Sequence, residues 1–317
     1  MRLLLGIILF YGRFGASFTR IGYRWRKRRF NAIGQALVGR HVVVTGASGG
    51  IGSAVVKGCL EHGASVTAIA RNQQKLDALV PDGHPRLTTI CADLAETNTV
   101  SDWVDAIADV GDVDVLVNNV GVMLHDYATN AAGIDRQFAT NLLNPYLMTQ
   151  ALIERDILKA DGAVVTVASG GMYMAPLTIT KLATDAADQH DGTTAYAVQK
   201  RAQVVLTDYW QQRFGPTGRQ FHVMHPGWVD TAGVQQSLPT FRKILRPLLR
   251  NAAEGADTII WLAAAMPEAP QPVQIWFDRA ARAVHAYGFT KGADSMASAL
   301  IEYLNSYDTS EPSTSPT

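Results

Sequence analysis

Tyr196 and Lys200 are the residues whose types and spacing most directly suggest chemistry: a phenol and an ammonium four residues apart. On a helix that spacing puts both on one face. A phenol beside an ammonium can exchange a proton with a carbonyl oxygen as negative charge builds there, because the positive charge favours the phenolate. An ordinary Tyr, with a pKa of about 10, exchanges poorly near neutrality without such help. The spacing alone is weak, since Tyr23 and Lys27 repeat it where nothing nearby supports chemistry. Tyr196 differs in its company. Gly46, Gly50 and Gly52, then Asn118-Asn119-Val120-Gly121, Asn141, Ser169 and Pro226-Gly227 follow in one order, each at an expected strand end or helix start.

The elements that must position these groups alternate from residue 40 onward. β-Branched runs at His41–Thr45, Ser65–Ala70, Leu87–Cys91, Val113–Asn118, Ala163–Ala168, Gln220–Met224 and Val273–Phe277 read as strands. Helical stretches are expected over 50–62, 72–79, 96–109, 134–158, 194–213 and 252–265, with a closing helix over 291–306. Strands separated by helices predict an α/β fold, a single Rossmann-type doubly wound parallel sheet of about seven strands with helices on both faces. Runs apolar throughout, such as Val113–Val117, fit strands buried on both sides.

The 317 residues are 47% apolar and 18% charged, enough to bury a sizeable core, and the formal net charge of zero argues against a nucleic-acid partner. The charge is unevenly placed. Residues 1–30 hold eight Arg or Lys, and no acidic residue precedes Glu61. Leu3–Tyr11 is apolar except for Gly6, too short to span a bilayer, and it runs into aromatic residues interleaved with arginines. Three arrangements are open for residues 1–39: an interfacial helix on a membrane surface, a helix packed on the body or a partner subunit, or a cleaved targeting peptide. The first is favoured, which predicts a cytoplasmic, peripherally membrane-associated protein. Residues 40–306 form the expected catalytic domain, and the Pro/Ser/Thr-rich residues 307–317 an expected disordered tail. Cys59 and Cys91 read as reduced, buried thiols in core elements. His222 and His225 lack matching carboxylates or cysteines, so no metal site is expected.

Val42-Val43-Val44-Thr45 leading through Gly46-Ala47-Ser48-Gly49-Gly50-Ile51-Gly52 into an apolar stretch is a strand–turn–helix whose free N–H groups suit a pyrophosphate. The glycine spacing is wider than G-x-G-x-x-G. At the end of the second strand stands Arg71, where an NAD-specific site would carry an acidic residue, so NADP(H) is the preferred cofactor and NAD(H) a possible one.

Taken together, Thr45-Gly46-x3-Gly50-x-Gly52, Asn118-Asn119-x-Gly121, Asn141, Ser169, Tyr196-x3-Lys200 and Pro226-Gly227-x3-Thr231 resemble the short-chain dehydrogenase/reductase superfamily over residues 40–305. Ser169-Gly-Gly-Met172, the stretch from Gly192 to Thr207, and Met224-His-Pro-Gly-Trp228-x-Asp230-Thr231 are similar to a retinol-dehydrogenase-like branch, the dehydrogenase/reductase member twelve subgroup. The resemblance implies Tyr196 as general acid/base, Lys200 as pKa tuner and ribose holder, Ser169 as orienter of the substrate oxygen and Asn141 as holder of a relay water. It implies a cofactor held by Gly46, Ser48, Gly50, Ile51 and Gly52 at the pyrophosphate and Arg71 at the 2′-phosphate. Asp93 and Leu94 would lie at the adenine, Asn118 and Gly121 beneath the cofactor, Tyr196 and Lys200 at the ribose, and Pro226, Gly227, Val229 and Thr231 at the nicotinamide. One departure is the 27-residue separation of Ser169 and Tyr196, which predicts a substrate-side insertion over Met172–Thr194.

An amphipathic flap is expected over Ala232–Arg250, covering an apolar substrate. With Met172, Tyr173, Met174 and Trp228 expected near the mouth, the substrate is expected to be a lipophilic carbonyl compound or the matching alcohol. The alternatives are a non-catalytic NADP(H)-binding regulatory or interaction protein and a non-redox lyase or epimerase on the same fold. Helices 134–158 and 194–213 offer a possible homodimer face.

Overall fold

The computed structural model describes Gly12 and residues 14–307. Eight strands form one sheet in the order β3-β2-β1-β4-β5-β6-β7-β8. They are β1 (His41–Thr45), β2 (Ser65–Ala70), β3 (Leu87–Cys91), β4 (Val113–Asn118), β5 (Leu158–Val167), β6 (Gln220–Met224), β7 (Ile275–Phe277) and β8 (Ala280–Arg282). β1 to β7 run parallel, and β8 returns antiparallel on β7. The eighth strand was not expected. Its turn uses Asp278 and Arg279 in left-handed conformations rather than the Gly or Asn that announces a hairpin.

The helices are α1 (Arg20–Lys27), α2 (Gly50–Glu61), α3 (Gln73–Asp77), α4 (Val100–Ala108), α5 (Arg136–Phe138), α6 (Asn144–Glu154), α7 (Gly192–Phe214), α8 (Ala232–Ser237), α9 (Pro239–Leu245), α10 (Ala252–Ala265) and α11 (Ala297–Asn305). Strand side chains alternate between two cores. Val43, Ile69, Leu116 and Val164 face a layer containing Phe138, Leu142, Tyr146 and Trp210. Val42, Val44, Val115, Val117 and Val165 face α2 and α10 through Val55, Val56, Ile259 and Ala263. Each such side chain contributes about 1.5–3 kcal/mol by leaving water. A one-residue slip would exchange the two faces, so burial on both sides fixes the register.

Between α5 and α6 the chain makes a π-helical turn over Ala139–Leu143. The expected helix 134–158 is thus interrupted at Asn141 and ends at Glu154. The stretch Met172–Thr194 reaches the pocket through Met174 and Thr193 but is not a loop standing over it. It forms three short 3₁₀ turns, and Ala175, Leu177 and Leu182 enter the main core. Cys59 is buried but Cys91, expected inside, is exposed at the sheet edge. His222 and His225 have structural partners: His222 Nδ1 accepts from the Trp276 indole at 3.2 Å and His225 Nδ1 from Gly227 N at 2.9 Å.

Residues 14–27 lie against the body. The Phe18 ring meets His225, Trp228 and Phe277 at centroid distances of 4.4–5.7 Å, and Arg26 pairs with Asp278 at 2.6 Å. Residues 1–11, where the apolar run falls, and the tail from 308 onward lie outside the described residues.

Candidate active site

The turn after β1 is built by the ends of two strands. The Thr45 hydroxyl accepts from Asn119 N at 3.0 Å and Val120 N at 3.1 Å, and Asn119 Nδ2 donates to Thr45 O at 2.9 Å. Gly46, with φ +64°, then turns the chain toward α2. A Cβ on Gly52 would stand 2.2 Å from Gly46 O, so this helix start can press on the turn only as glycine. The Asn118 amide instead donates to the Thr149 hydroxyl at 3.1 Å beneath the site. Asn119, quoted in the motif but given no role, is the residue that joins the two loops.

Ser169 lies just past β5 and caps the turn Gly170–Tyr173, its Oγ accepting from Gly171 N at 3.3 Å. α7 begins at Asp191, whose carboxylate accepts from Thr194 N at 3.0 Å, and presents Tyr196 one turn later. The Ser169 hydroxyl faces the Tyr196 phenol across the cavity wall and favours its ionised form. Lys200, 2% exposed, stands behind Tyr196 with its ammonium 5.6 Å from the ring centroid and donates to Val167 O at 2.9 Å. Burial dominates the electrostatics. It pushes the phenol of Tyr196 above its ordinary value of 10.0, partly offset by the Ser169 hydroxyl. It pulls Lys200 down to about 7. The Lys200 charge is not among the influences on the phenol here, because the desolvation that raises the phenol also weakens the ammonium.

Asn141 sits within the π turn, and its side chain is fully used. Oδ1 accepts from Val122 N at 2.8 Å, while Nδ2 donates to Val122 O and to Gln199 Oε1, each at 2.8 Å. The side chain therefore clamps the loop after β4, and its main-chain oxygen turns toward α7, where it accepts from Gln203 Nε2 at 2.7 Å.

After β6, Pro226–Thr231 passes under residues 14–18 and is tied to them: Trp228 N donates to Phe18 O at 2.9 Å. Thr231 caps α8 and meets Gly50, whose Cβ would lie 3.3 Å from Thr231 Cγ2. The flap is two short helices, α8 and α9. It is latched across the opening, with Ser237 Oγ donating to Met123 O at 2.8 Å and His125 Nε2 lying 3.0 Å from Ser237 O.

These parts enclose a cavity of about 670 Å³ at the carboxyl ends of the strands, where doubly wound sheets bind ligands. Gly46, Ser48, Arg71, Asp93, Leu94, Gly121, Ser169, Tyr196, Gly227, Val229 and Thr231 line it. Gly50, Ile51, Gly52, Asn118, Asn141, Lys200 and Pro226 stand outside the lining. Asp93 shares its carboxylate between Arg136 and the Ala95 amide. Of the four groups expected at the mouth, Met174 and Trp228 line the cavity, whereas Met172 and Tyr173 are packed in a core with Phe18. Sequence reasoning missed Met123, Leu124 and Arg136 in the lining, none of which stands in a motif, and gave no place there to Thr193 and His225, which do. The glycine turn, the cation at Arg71 and the length of the cleft fit a dinucleotide, with apolar Leu124, Val234, Leu238 and Phe241 beyond the catalytic pair.

A crevice at a sheet's carboxyl edge with Ser, Tyr and Lys converging from β5 and α7 defines a class, and the comparisons agree. The family model described as short chain dehydrogenase matches residues 40–241, and the chain belongs to that family of oxidoreductases, which act on CH–OH groups. Among relatives, dehydrogenase/reductase SDR family member 12 of Bos taurus is 34% identical over 301 residues, covering 91% of this chain and 93% of that one. Retinol dehydrogenase 12 of Homo sapiens is 28% identical over 237 residues, 72% of this chain and 74% of that one. The chain thus falls in the retinol-dehydrogenase-like branch, close to member 12. A crystal structure of BdcA in complex with NADPH superposes with a TM-score of 0.58 at 25% identity, covering 75% of this chain and 90% of that one.

Proposed function

We propose that the protein is an NADP(H)-dependent oxidoreductase that interconverts a lipophilic carbonyl compound and its alcohol, with Tyr196 as general acid/base. The observation that carries the reading is that Ser169 and Tyr196 share the wall of the cavity, with Lys200 buried directly behind Tyr196. The cofactor, when bound, supplies or accepts the hydride, and its oxidised ring brings positive charge to the pocket. In reduction the substrate oxygen lies between the Ser169 and Tyr196 hydroxyls. As negative charge develops on it, the phenol gives up its proton and the serine hydroxyl donates a hydrogen bond. In oxidation the phenolate takes the alcohol proton. Lys200, near its own midpoint at neutrality, is protonated or neutral according to the charge beside it.

Arg71, exposed at the end of β2 and on the cavity wall, supports the 2′-phosphate, and NADPH in the related BdcA agrees. Ser48 belongs at the phosphates, Leu94 beside the adenine and Val229 beside the nicotinamide. Ile51, Gly50 and Gly52 act from behind, by holding the turn. The apolar flap and the printed names of the retinol dehydrogenase relatives support a lipophilic substrate.

The reading extends to a cytoplasmic protein peripherally attached to a membrane surface. Among the described residues no helix is long and apolar enough to cross a membrane. α1 instead holds Ile21 and Trp25 outward, 60% and 57% exposed, beside Arg24, Arg28 and Arg29, and α9 exposes Ile244 at 70%. A homodimer through α6 and α7 would have to use the part that α11 leaves open, since Tyr146 already bonds Asn305 at 2.5 Å.

Steady-state oxidation of NADPH with a panel of lipophilic ketones and aldehydes, run beside Tyr196→Phe, tests the reading. Turnover that falls about 10²–10⁴-fold in the variant, with NADPH affinity retained, is expected. Absence of turnover with every carbonyl, or equal rates in the two proteins, would overturn it.

A further inference from the structure

Lys200 has one close neighbour outside the set of expected catalytic residues. Gln203, three residues on and on the same face of α7, accepts from the Lys200 ammonium through Oε1 at 3.2 Å. Its other end, Nε2, donates to the main-chain oxygen of Asn141 at 2.7 Å. That oxygen is available because its partner one helical turn on would be Pro145, which has no N–H to donate. Asn141 and Gln203 are both buried, as are Gln199 and Thr207 around them.

We propose that Gln203 is a positioning residue, joining Lys200 to the Asn141 carbonyl through its own side chain. The inference rests on the proposed acid/base reading of Tyr196. A water between an ammonium and a carbonyl can rotate and hand a proton onward. A carboxamide cannot: its oxygen only accepts and its nitrogen only donates, and passing a proton would require the unfavourable imidic acid. The bonds run one way, from the Lys200 N–H to Oε1 and from Nε2–H to Asn141 O, so the link steadies the charged amine without relaying its protons.

The groups packed round Lys200 are few. Tyr196 stands on its own helix; Val167 on β5 offers a carbonyl, and the π turn offers Asn141. A Cβ on Gly121, in the loop after β4, would lie 3.2 Å from the ammonium. Arg201, next along α7, points to the carbonyls of Met172 and Val284 at 2.6 and 3.0 Å. No carboxylate contributes to the Lys200 equilibrium, which burial alone displaces. Gln203 Oε1 is therefore one of two acceptors that hold the ammonium form among the described residues.

The test compares Gln203→Leu, Gln203→Ala and Gln203→Glu with the wild type. The first readout is the titration of the Lys200 amine, followed by carbon NMR of ε-labelled lysine in the cofactor-free protein and assigned by Lys200→Arg. The midpoint is expected to fall by about one pH unit in Gln203→Leu, the worth of one charge-assisted hydrogen bond. It is expected to rise in Gln203→Glu, and to return toward the wild-type value in Gln203→Ala, which leaves room for a water. The second readout is the pH profile of alcohol oxidation, whose rising limb should move upward in Gln203→Leu as Tyr196 loses a charged neighbour. An unchanged Lys200 midpoint in both the Leu and Glu variants would overturn the proposal. Wild-type protein without turnover would instead overturn the acid/base reading, and the NMR titration would still judge the link.

Discussion

Tyr196 and Lys200 are buried together, and burial works against the ion that each would become. The phenol is raised and the amine is lowered to about 7, so neither charge is stable until another charge enters the pocket. This makes the pair responsive to the cofactor and to the oxygen being reduced. Arg71 stands at the other end of the same cavity and is exposed. Replacing it with Ala should reduce the preference for NADPH over NADH about tenfold, the worth of one exposed charge pair of about 1 kcal/mol or slightly more. Paired binding titrations measure this, and an unchanged ratio would remove Arg71 from the 2′-phosphate. Ser169, Tyr196 and Lys200 were legible in the sequence because their types are chemically distinctive and their positions follow a strand and start a helix. Asn119 and Gln203 were not, since an amide that bridges two loops or two helices looks like any polar residue until its neighbours are known. The direction of the Tyr196 shift was illegible for a related reason: desolvation depends on what the rest of the chain brings alongside.

Residues 14–27 and the β7–β8 turn form one structural unit with the loop after β6. Arg250, buried, donates to both carboxylate oxygens of Asp278 at 2.6 and 3.0 Å, and to the carbonyls of Ser17, Phe18 and Pro226 at 3.0–3.2 Å. Arg26 reaches the same carboxylate. Asp278→Ala leaves two guanidinium groups without their anion and should cost about 3–5 kcal/mol of stability, read as a lowered urea midpoint. A loss below about 1 kcal/mol would mean that the loop is held by other means. The basic N-terminal stretch was legible as amphipathic, but its inward arginines were not, because their acid lies some 250 residues away in the chain. Its outward face makes a separate prediction: Ile21→Ser with Trp25→Ser in the full chain should abolish cosedimentation with anionic vesicles while leaving the fold intact. Equal pelleting would take α1 off the membrane surface. Most strands were read to the residue, since β-branched runs buried on both faces have no other environment. β8, three residues after a glycine-free turn, and the π turn at Asn141 carry no comparable signal.

Across the whole molecule, the sheet is covered on both sides, and the cover closes over histidines as well as valines. His222 and His225 are held down to about 4 and about 3 by burial, with Arg250 adding to the shift at His225. Both values lie below the ordinary 6.5, so the unfolded chain binds protons that the folded chain does not. Their effect is absent above about pH 6.5, and stability falls as pH drops toward 4, by about 1.4 kcal/mol per pH unit for each histidine. Between pH 6 and 5 the urea stability of His222→Gln should therefore fall about 1 kcal/mol less than that of the wild type; equal losses would contradict a buried neutral His222. The same cover buries Tyr196 and Lys200, so that charge beside them meets less competition from water. The central claim is that this cavity performs a hydride transfer, and isotope transfer tests it directly. Incubation with NADPH deuterated at the transferable C4 position and a lipophilic ketone is predicted to give an alcohol one mass unit heavier, labelled at the carbinol carbon. An alcohol without the label, or a carbonyl recovered unreacted while the cofactor binds, would contradict the account.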